Sequence, residues 1–565
     1  MNIYLKFKLL ILAIINITRR YLLYPAFIFL IIYFLPIRCL SQVTQEWVRR
    51  YPDSNTFIAG ALALALDDSS NVYITGNTHT TYWSAYCTIK YKPDGTQQWI
   101  ANYYGDNSGG RYAYAIALDR SSNVFVTGYS YRSGSYFDYC TIKYNSNGDQ
   151  QWVQYYDGPA HDIDQAQKIA VDNTGNVYVT GFSAMLSNGF QCTTIKYSTD
   201  GRELWVQRYG NVDINSKVNG IVIDDSCNVY ITGGNYYSAA TIKYDSSGRQ
   251  MWAQLYSGPI GEGTVANDIA MDRDRNVFIT GTSYCANERY ADMFTIKYSN
   301  SGVQQWLRRY YFQDTVYDNN VATSIGIDST GNIYSGGYTG VSQGGYYQLC
   351  AIKYSNNGDL IWAKKDTSKL GAMTATMCID SRGSVYTTGS WGNLPNYNSY
   401  ITIKYDSAGS EQWKQIYNFE YGDSYPYDII IDKNFDILIT GMGTNSNYYG
   451  HYDMITIKYS QPIGIKRNFS NAPESIKLYQ NYPNPFNPIT KIKFDVPIVG
   501  NERQPFIHLA IYDILGHEIS ILVNRQLKPG SYEVDWDGSN YSSGIYFYKI
   551  NIGNFSDTKK MILLK

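Results

Sequence analysis

The chain has 565 residues, with 47 Lys and Arg against 48 Asp and Glu, and charged residues make up only 17% of it. So even a balance leaves no basic surface for DNA, RNA or an anionic bilayer and excludes a nucleic-acid partner. Solubility must rest on Asn, Ser, Gly, Gln and 58 Tyr, and the five His form no pair at zinc-ligand spacing.

At the N terminus Lys6, Lys8, Arg19 and Arg20 precede an apolar run from Tyr21 to Leu35, and the small residue Ser41 follows. The run is short for a membrane span, so residues 1–41 read as a secretory signal peptide, with an uncleaved membrane anchor as the alternative. Cys39 offers a lipid attachment point, but Ile37 and Arg38 before it are not the small residues that such processing uses.

From residue 42 to 460 one unit of about 47–56 residues occurs eight times. Each unit opens with a small apolar alternation ending in Asp, at Asp67, Asp119, Asp172, Asp224, Asp272, Asp328, Asp380 and Asp432. A second strand follows, such as Asn71-Val-Tyr-Ile-Thr-Gly76, and then a variable loop. The third strand is Thr-Ile-Lys-Tyr, at Thr88, Thr141, Thr194, Thr241, Thr295, Thr402 and Thr456, with Ala351 in the first position once. The fourth starts at Trp99, Trp152, Trp205, Trp252, Trp306, Trp362 or Trp413. Short β-branched and aromatic segments bounded by Gly, Asn, Asp and Ser predict a four-stranded antiparallel meander, and the period is that of one propeller blade. Glycines such as Gly148 between the third and fourth strands supply the positive φ of a tight turn.

The eighth unit has no Trp strand, because after Tyr459 the chain runs into Gln461-Pro-Ile-Gly464. The missing piece lies at the other end: Trp47-Val-Arg-Arg-Tyr51 matches Trp306-Leu-Arg-Arg-Tyr310. Supplying it to the last sheet closes a ring, which removes the need for the polar end caps of an open solenoid. Trp47 and its seven counterparts are then expected between blades or over a turn.

Beyond the array, residues 461–474 read as a polar linker, and from Ser475 to Lys565 short alternating strands predict a small β-sandwich. The fold class is therefore all-β: an eight-bladed β-propeller closed by an N-terminal strand, followed by a small immunoglobulin-like β-sandwich.

The pattern Ile-Ala-Val-Asp172, Gly175 to Gly181, Thr194-Ile-Lys-Tyr197, Gly201 and Trp205 resembles the bacterial SBBP propeller repeats. The tail resembles the C-terminal sorting domain of type IX secretion cargo, related to the immunoglobulin-like domain of flagellar hook capping proteins. The matching stretches are Leu478 to Pro488, Ile511 to Glu518, Gly530-Ser-Tyr532, Ser543 to Tyr546 and Lys559 to Lys565. This resemblance implies the type IX translocon as a partner, passage through the periplasm, and release or outer-membrane attachment at the cell surface. It brings Pro483, Asn484 and Pro485 at the domain entry, Gly516, Gly530 and Gly544 as turn formers, and Lys559 and Lys560 near the end into that role.

The repeated Asp residues read as turn caps, with calcium coordination as the alternative reading and no other cofactor indicated. Cys87, Cys140, Cys192 and Cys350 occupy a place held elsewhere by Ala240, Phe294, Ile401 and Ile455, so they are expected as buried thiols. What varies between units is the loop after the Thr-Gly step. Its aromatics Trp83, Tyr131, Tyr136, Tyr284, Tyr346, Tyr347, Trp391, Tyr397, Tyr448 and Tyr449 stand among Ser, Gly and Asn, the composition of glycan- and protein-binding surfaces. The leading reading is a secreted or cell-surface binding or scaffold module for a glycan or protein ligand. An extracellular carbohydrate-active enzyme is the second, drawing a carboxylate pair from residues such as Asp162, Asp164, Glu262, Glu288 and Asp314. A structural envelope or matrix protein is the third.

Overall fold

The computed structural model describes residues 43–564 apart from 52–57, 80–83, 106–108, 188, 214–216, 235–236, 260–262, 285–290, 313–317, 342–345, 367–374, 394–395, 420–422, 445–450, 462–465, 469–472, 474, 498–504, 528 and 539–540. The signal peptide expected at 1–41 lies outside the described residues.

The strand pattern follows from which faces are covered. Second strands such as Val177–Ala184 are almost entirely buried because neighbouring blades cover both faces, whereas fourth strands such as Gln150–Tyr156 begin in solvent. Blade two shows the unit whole: Arg111–Leu118, Val124–Arg132, Tyr136–Tyr144 and Gln150–Tyr156 pair antiparallel in chain order. Blade three runs from Asp164 to Asp213 and blade four from Lys217 to Tyr256 in the same order. First strands of successive blades touch all the way round, with Ser424–Ile431 of blade eight meeting Ile58–Leu66 of blade one. They line the axis, and the Trp strands lie outermost.

The ring closes as the sequence predicts. Thr44–Tyr51 pairs antiparallel with Tyr452–Ser460 and places Trp47 opposite Lys458. Trp99 stands opposite Lys90, and Trp152 opposite Lys143, in the same register. Blade eight is thus built from both ends of the array, and a parallel bridge from Ile58 to Tyr452 joins it to blade one.

Blade is held to blade by a clasp on the face that carries the tight turns. The indole Nε1 of Trp47, Trp99, Trp152, Trp205, Trp252, Trp306 and Trp362 donates to a turn carbonyl of the following blade, from Pro93 round to Ser407, at 2.9–3.2 Å. The Lys of the third strand reaches the same carbonyl, as Lys196 does on Ser246 at 3.1 Å, while its ammonium lies over the ring of the second-strand aromatic Tyr178. Blade eight has no third-to-fourth hairpin to offer, and Gln461 supplies the replacement. Its side-chain Oε1 accepts from Lys404 at 2.8 Å and Trp413 at 3.3 Å, and its Nε2 donates to Tyr386 and to the Phe435 carbonyl.

Within a blade, the first strand carries a β-bulge, for example between Ala166 and Lys168. It turns the preceding carbonyl onto the glycine of the Thr-Gly step. A Cβ placed on Gly181 would stand 2.0 Å from the Gln165 oxygen, and Gly76, Gly128, Gly233, Gly281, Gly337 and Gly441 are as tightly overlain.

On the axis, Asp268 and Asp428 each bridge two blades: Asp268 accepts from Ile269 and Ile325 amides, and Asp428 from Ile429 and Leu64, all at 2.9 Å. Burial pushes both carboxyls up to about 6, against the opposing pull of those amides and of Lys168, with Asp268 adding to the rise at Asp428. A carboxyl raised in the folded state stabilises the fold below its unfolded pKa and loses that contribution as pH rises through the folded value. Unfolding free energy should therefore fall between about pH 4 and about pH 7, by on the order of 1–3 kcal/mol per group, and the melting temperature with it. Calorimetry across that range checks this, and the double substitution Asp268→Asn with Asp428→Asn should flatten the slope.

The C-terminal domain is a sandwich of two four-stranded sheets around Phe494, Ile507, Leu509, Val534, Trp536 and Ile550. The segment read as a linker, 461–474, is more than a spacer. Gln461 belongs to the propeller clasp, and Lys466–Asn468 forms an edge strand of the sandwich against Ser531, Tyr532 and Glu533. An exposed sheet edge takes up a nearby polar strand through main-chain hydrogen bonds alone, which leaves no apolar pattern to read.

Candidate functional site in a cavity between the third and fourth blades

Seven of the inter-blade clefts differ from the one between blades three and four in how the third strand fills them. Two residues before the Thr of Thr-Ile-Lys-Tyr stand Tyr86, Tyr139 and Tyr400 in blades one, two and seven, all fully buried. Their hydroxyls donate into the next blade, to Cys140 O at 3.2 Å, Thr193 O at 3.1 Å and Met442 O at 3.1 Å. Blades five, six and eight carry Met293, Leu349 and Met454 there. In blade three the residue is Cys192, and the facing residues of blade four are Gly233, Gly234 and Ala240. In blade four itself it is Ala239, which packs beside Phe294 of blade five. Truncation on both sides of the third cleft opens a cavity of about 600 Å3.

Its wall combines apolar and cationic groups. Phe190, Tyr209, Ile231, Tyr237 and Leu255 line it together with Arg208 and Lys217, and among the described side chains no carboxylate lines it. Arg208 is held by its Nε bond to the Tyr156 hydroxyl at 2.9 Å and lies over that ring, and Lys217 is exposed. Burial pushes the Cys192 thiol up to about 12, so it is neutral and serves as wall, without thiolate reactivity.

The predicted loop aromatics stand elsewhere. Tyr136 and Tyr284 are exposed, Tyr131 packs edge-on against Phe137, and Tyr347 does so against Tyr338. Trp83, Tyr448 and Tyr449 lie outside the described residues, as do the side chains of Tyr346, Trp391 and Tyr397. None of the described loop aromatics lines the cavity. Phe190, Tyr209 and Tyr237 were not singled out from sequence, although Ala239-Ala240 before Thr241 and the glycine pair Gly233-Gly234 mark blade four as the odd unit.

The eight repeated Asp residues form turn caps in the described geometry. In each, Oδ1 accepts the amide of the residue four positions on at 2.8–2.9 Å. Asp67, Asp119, Asp172, Asp224, Asp272 and Asp328 also accept the side-chain amide of that Asn on Oδ2. Although burial opposes it, these donors hold Asp172 and Asp224 below the ordinary carboxylate range. Among the described residues no disulfide forms, and Cys87, Cys140, Cys192 and Cys350 are buried thiols. Of the carboxylates considered for catalysis, Asp164 is wholly buried and raised by that burial to about 6, Asp162 is exposed, and Glu262, Glu288 and Asp314 lie outside the described residues.

In the tail, Tyr482-Pro483 and Asn484-Pro485 are cis, and Asn484 Oδ1 accepts the Ile562 amide at 2.9 Å. Gly516 has φ +84° in a turn capped by Asp513, whereas Gly530 and Gly544 are the first residues of strands Gly530–Asp537 and Gly544–Ile552. Lys559 pairs with Tyr548, and the carbonyl of Lys560 receives the Gln480 side-chain amide at 2.7 Å.

Residues 480–564 match the family model of the secretion system C-terminal sorting domain, and residues 151–183 match that of a beta-propeller repeat. No curated protein matches the chain significantly. Solved structures similar to parts of it include a Bacteroides caccae protein of unknown function, 10% identical over 51% of this chain and 93% of that one, TM-score 0.30. A fungal alcohol oxidase of the AA5 family in complex with copper is 11% identical over 93% of this chain and 100% of that one, TM-score 0.39. A Penicillium chrysogenum alpha-L-arabinanase complexed with arabinobiose is 9% identical over 61% and 92%, TM-score 0.35. Scores this low assign no chemistry.

Proposed function

We propose that this chain, a β-propeller exported to the cell surface or beyond through its type IX sorting domain, is a non-catalytic binding module whose ligand occupies the cleft between blades three and four. The observation that carries the reading is that cavity: about 600 Å3, walled by aromatic rings and two cations, with no carboxylate among the described side chains of the wall. Rings offer a face to a sugar or planar group, and Arg208 and Lys217 offer charge to an acid. An acidic glycan end fits this chemistry. The burial of Asp164 supports binding over hydrolysis, since a carboxyl closed to solvent is closed to a sugar.

The full chain should bind immobilised acidic oligosaccharides saturably and release no product from them. Lys217→Met should weaken binding about tenfold while leaving the melting temperature unchanged, because that side chain is exposed. Turnover in a general hydrolysis screen, or acidic-glycan binding indifferent to Lys217→Met and Arg208→Met, would replace this reading.

A further inference from the structure

The loop face also carries a cluster of carboxylates between blades two and three, apart from the cavity. Asp138 is the third residue of the third strand of blade two, Asp157 follows its fourth strand, and Asp164 opens blade three. Oxygens of all three lie within 4.8 Å of one another. Asp138 and Asp164 are 0% exposed, and Oδ1 of each receives no hydrogen bond.

A second group points the same way. The Ser183 hydroxyl, on the strand position paired with Asp164, is also 0% exposed and makes no hydrogen bond of good geometry, with the Asp164 carboxyl as its neighbour. It converges with Asp164 Oδ1 on the Gly158 turn, where a Cβ would meet the two oxygens at 2.3 and 2.7 Å. Buried polar oxygens without donors are rare and call for a partner. The groups already present do not suffice. Arg132 reaches Asp138 Oδ2 only at 3.8 Å, Ser135 donates to that same oxygen, His161 bonds Asp157 Oδ2, and the Gly158 amide bonds Asp164 Oδ2.

We propose that Asp138, Asp157 and Asp164 hold a divalent cation, calcium by its donor chemistry, that pins blade two to blade three. The donors are oxygen only, which selects a hard cation over zinc or copper. They come from two strands and a loop, an irregular frame that suits the variable coordination of calcium better than the strict octahedron of magnesium. Extracellular calcium is abundant enough for a site of modest affinity.

The test uses the full chain after exhaustive chelation. Terbium should bind saturably with emission sensitised by the neighbouring Tyr155 and Tyr156, calcium should displace it, and calcium should raise the melting temperature where equal magnesium does not. Asp157→Asn, at the partly exposed ligand, should fold normally and weaken terbium and calcium binding at least about tenfold. Asp164→Asn should abolish both. Absence of terbium binding, an equal response to magnesium, or a response unchanged in Asp157→Asn and Asp164→Asn would each overturn the assignment.

Discussion

Deleting residues 43–51 should cost the propeller on the order of 5 kcal/mol or more, an amount comparable with the whole stability of many domains. The strand is no ordinary terminus. Trp47 is 7% exposed, tilts against Tyr91 at 6.1 Å, and donates to Pro93 on blade one while its backbone completes blade eight. Removing it opens the last sheet, leaves Met454 and Ile457 uncovered on one side, and presents a bare third strand as an edge open to aggregation. Circular dichroism melts and size-exclusion chromatography would read the loss. Because the segment pairs through a defined register, a synthetic peptide of residues 43–51 added to the truncated chain should restore part of the transition. A truncated chain that melts like the intact one would show that the ring does not depend on this strand.

Gly181→Ala should cost on the order of 3–5 kcal/mol, far above the usual penalty for one added methyl group. The reason lies across the strand pair. The bulge at Ala166 and Lys168 drives the Gln165 carbonyl to within 2.0 Å of where a Cβ would sit, and backbone, unlike the end of a side chain, cannot swing aside. Gly134→Ala makes the control. That loop glycine has φ +105° with nothing within 4 Å, so its replacement tests backbone strain without collision and should cost about 1 kcal/mol. Urea midpoints of the two variants would separate the effects, and equal losses would remove the bulge from the explanation.

Much of this architecture was legible because each blade repeats the same local physics. Asp172 with Asn176, the Thr-Ile-Lys-Tyr strand and the Trp strand recur often enough to fix blade number, strand order and the pairing of Trp47 with the last unit. The bulge was not legible, since it is a property of backbone register in residues as plain as Ala166 and Gln167. Its partner Gly181 was visible, but the contact that demands it lies on another strand. The cavity was missed for a related reason. Loop aromatics attract notice by composition, whereas the opening arises from what is lacking, a Tyr at Cys192 and bulk at Gly233, Gly234 and Ala240. Absence of volume registers only once the opposing blade is in place.

Gln461 sets a boundary for maturation. Its side chain stands in for a hairpin that blade eight never makes, and the first strand of the sorting domain begins only at Lys466. A protease that trims the exported chain downstream of Gln461 leaves blade seven gripped. One that cuts a single bond earlier takes away the plug of amide on which Lys404 and Trp413 close. If the sorting domain is removed after export, the cut that spares the clasp falls within a few residues of Gln461, and the mature C-terminal residue, readable by mass spectrometry of the secreted protein, should be Gln461 or one shortly after it.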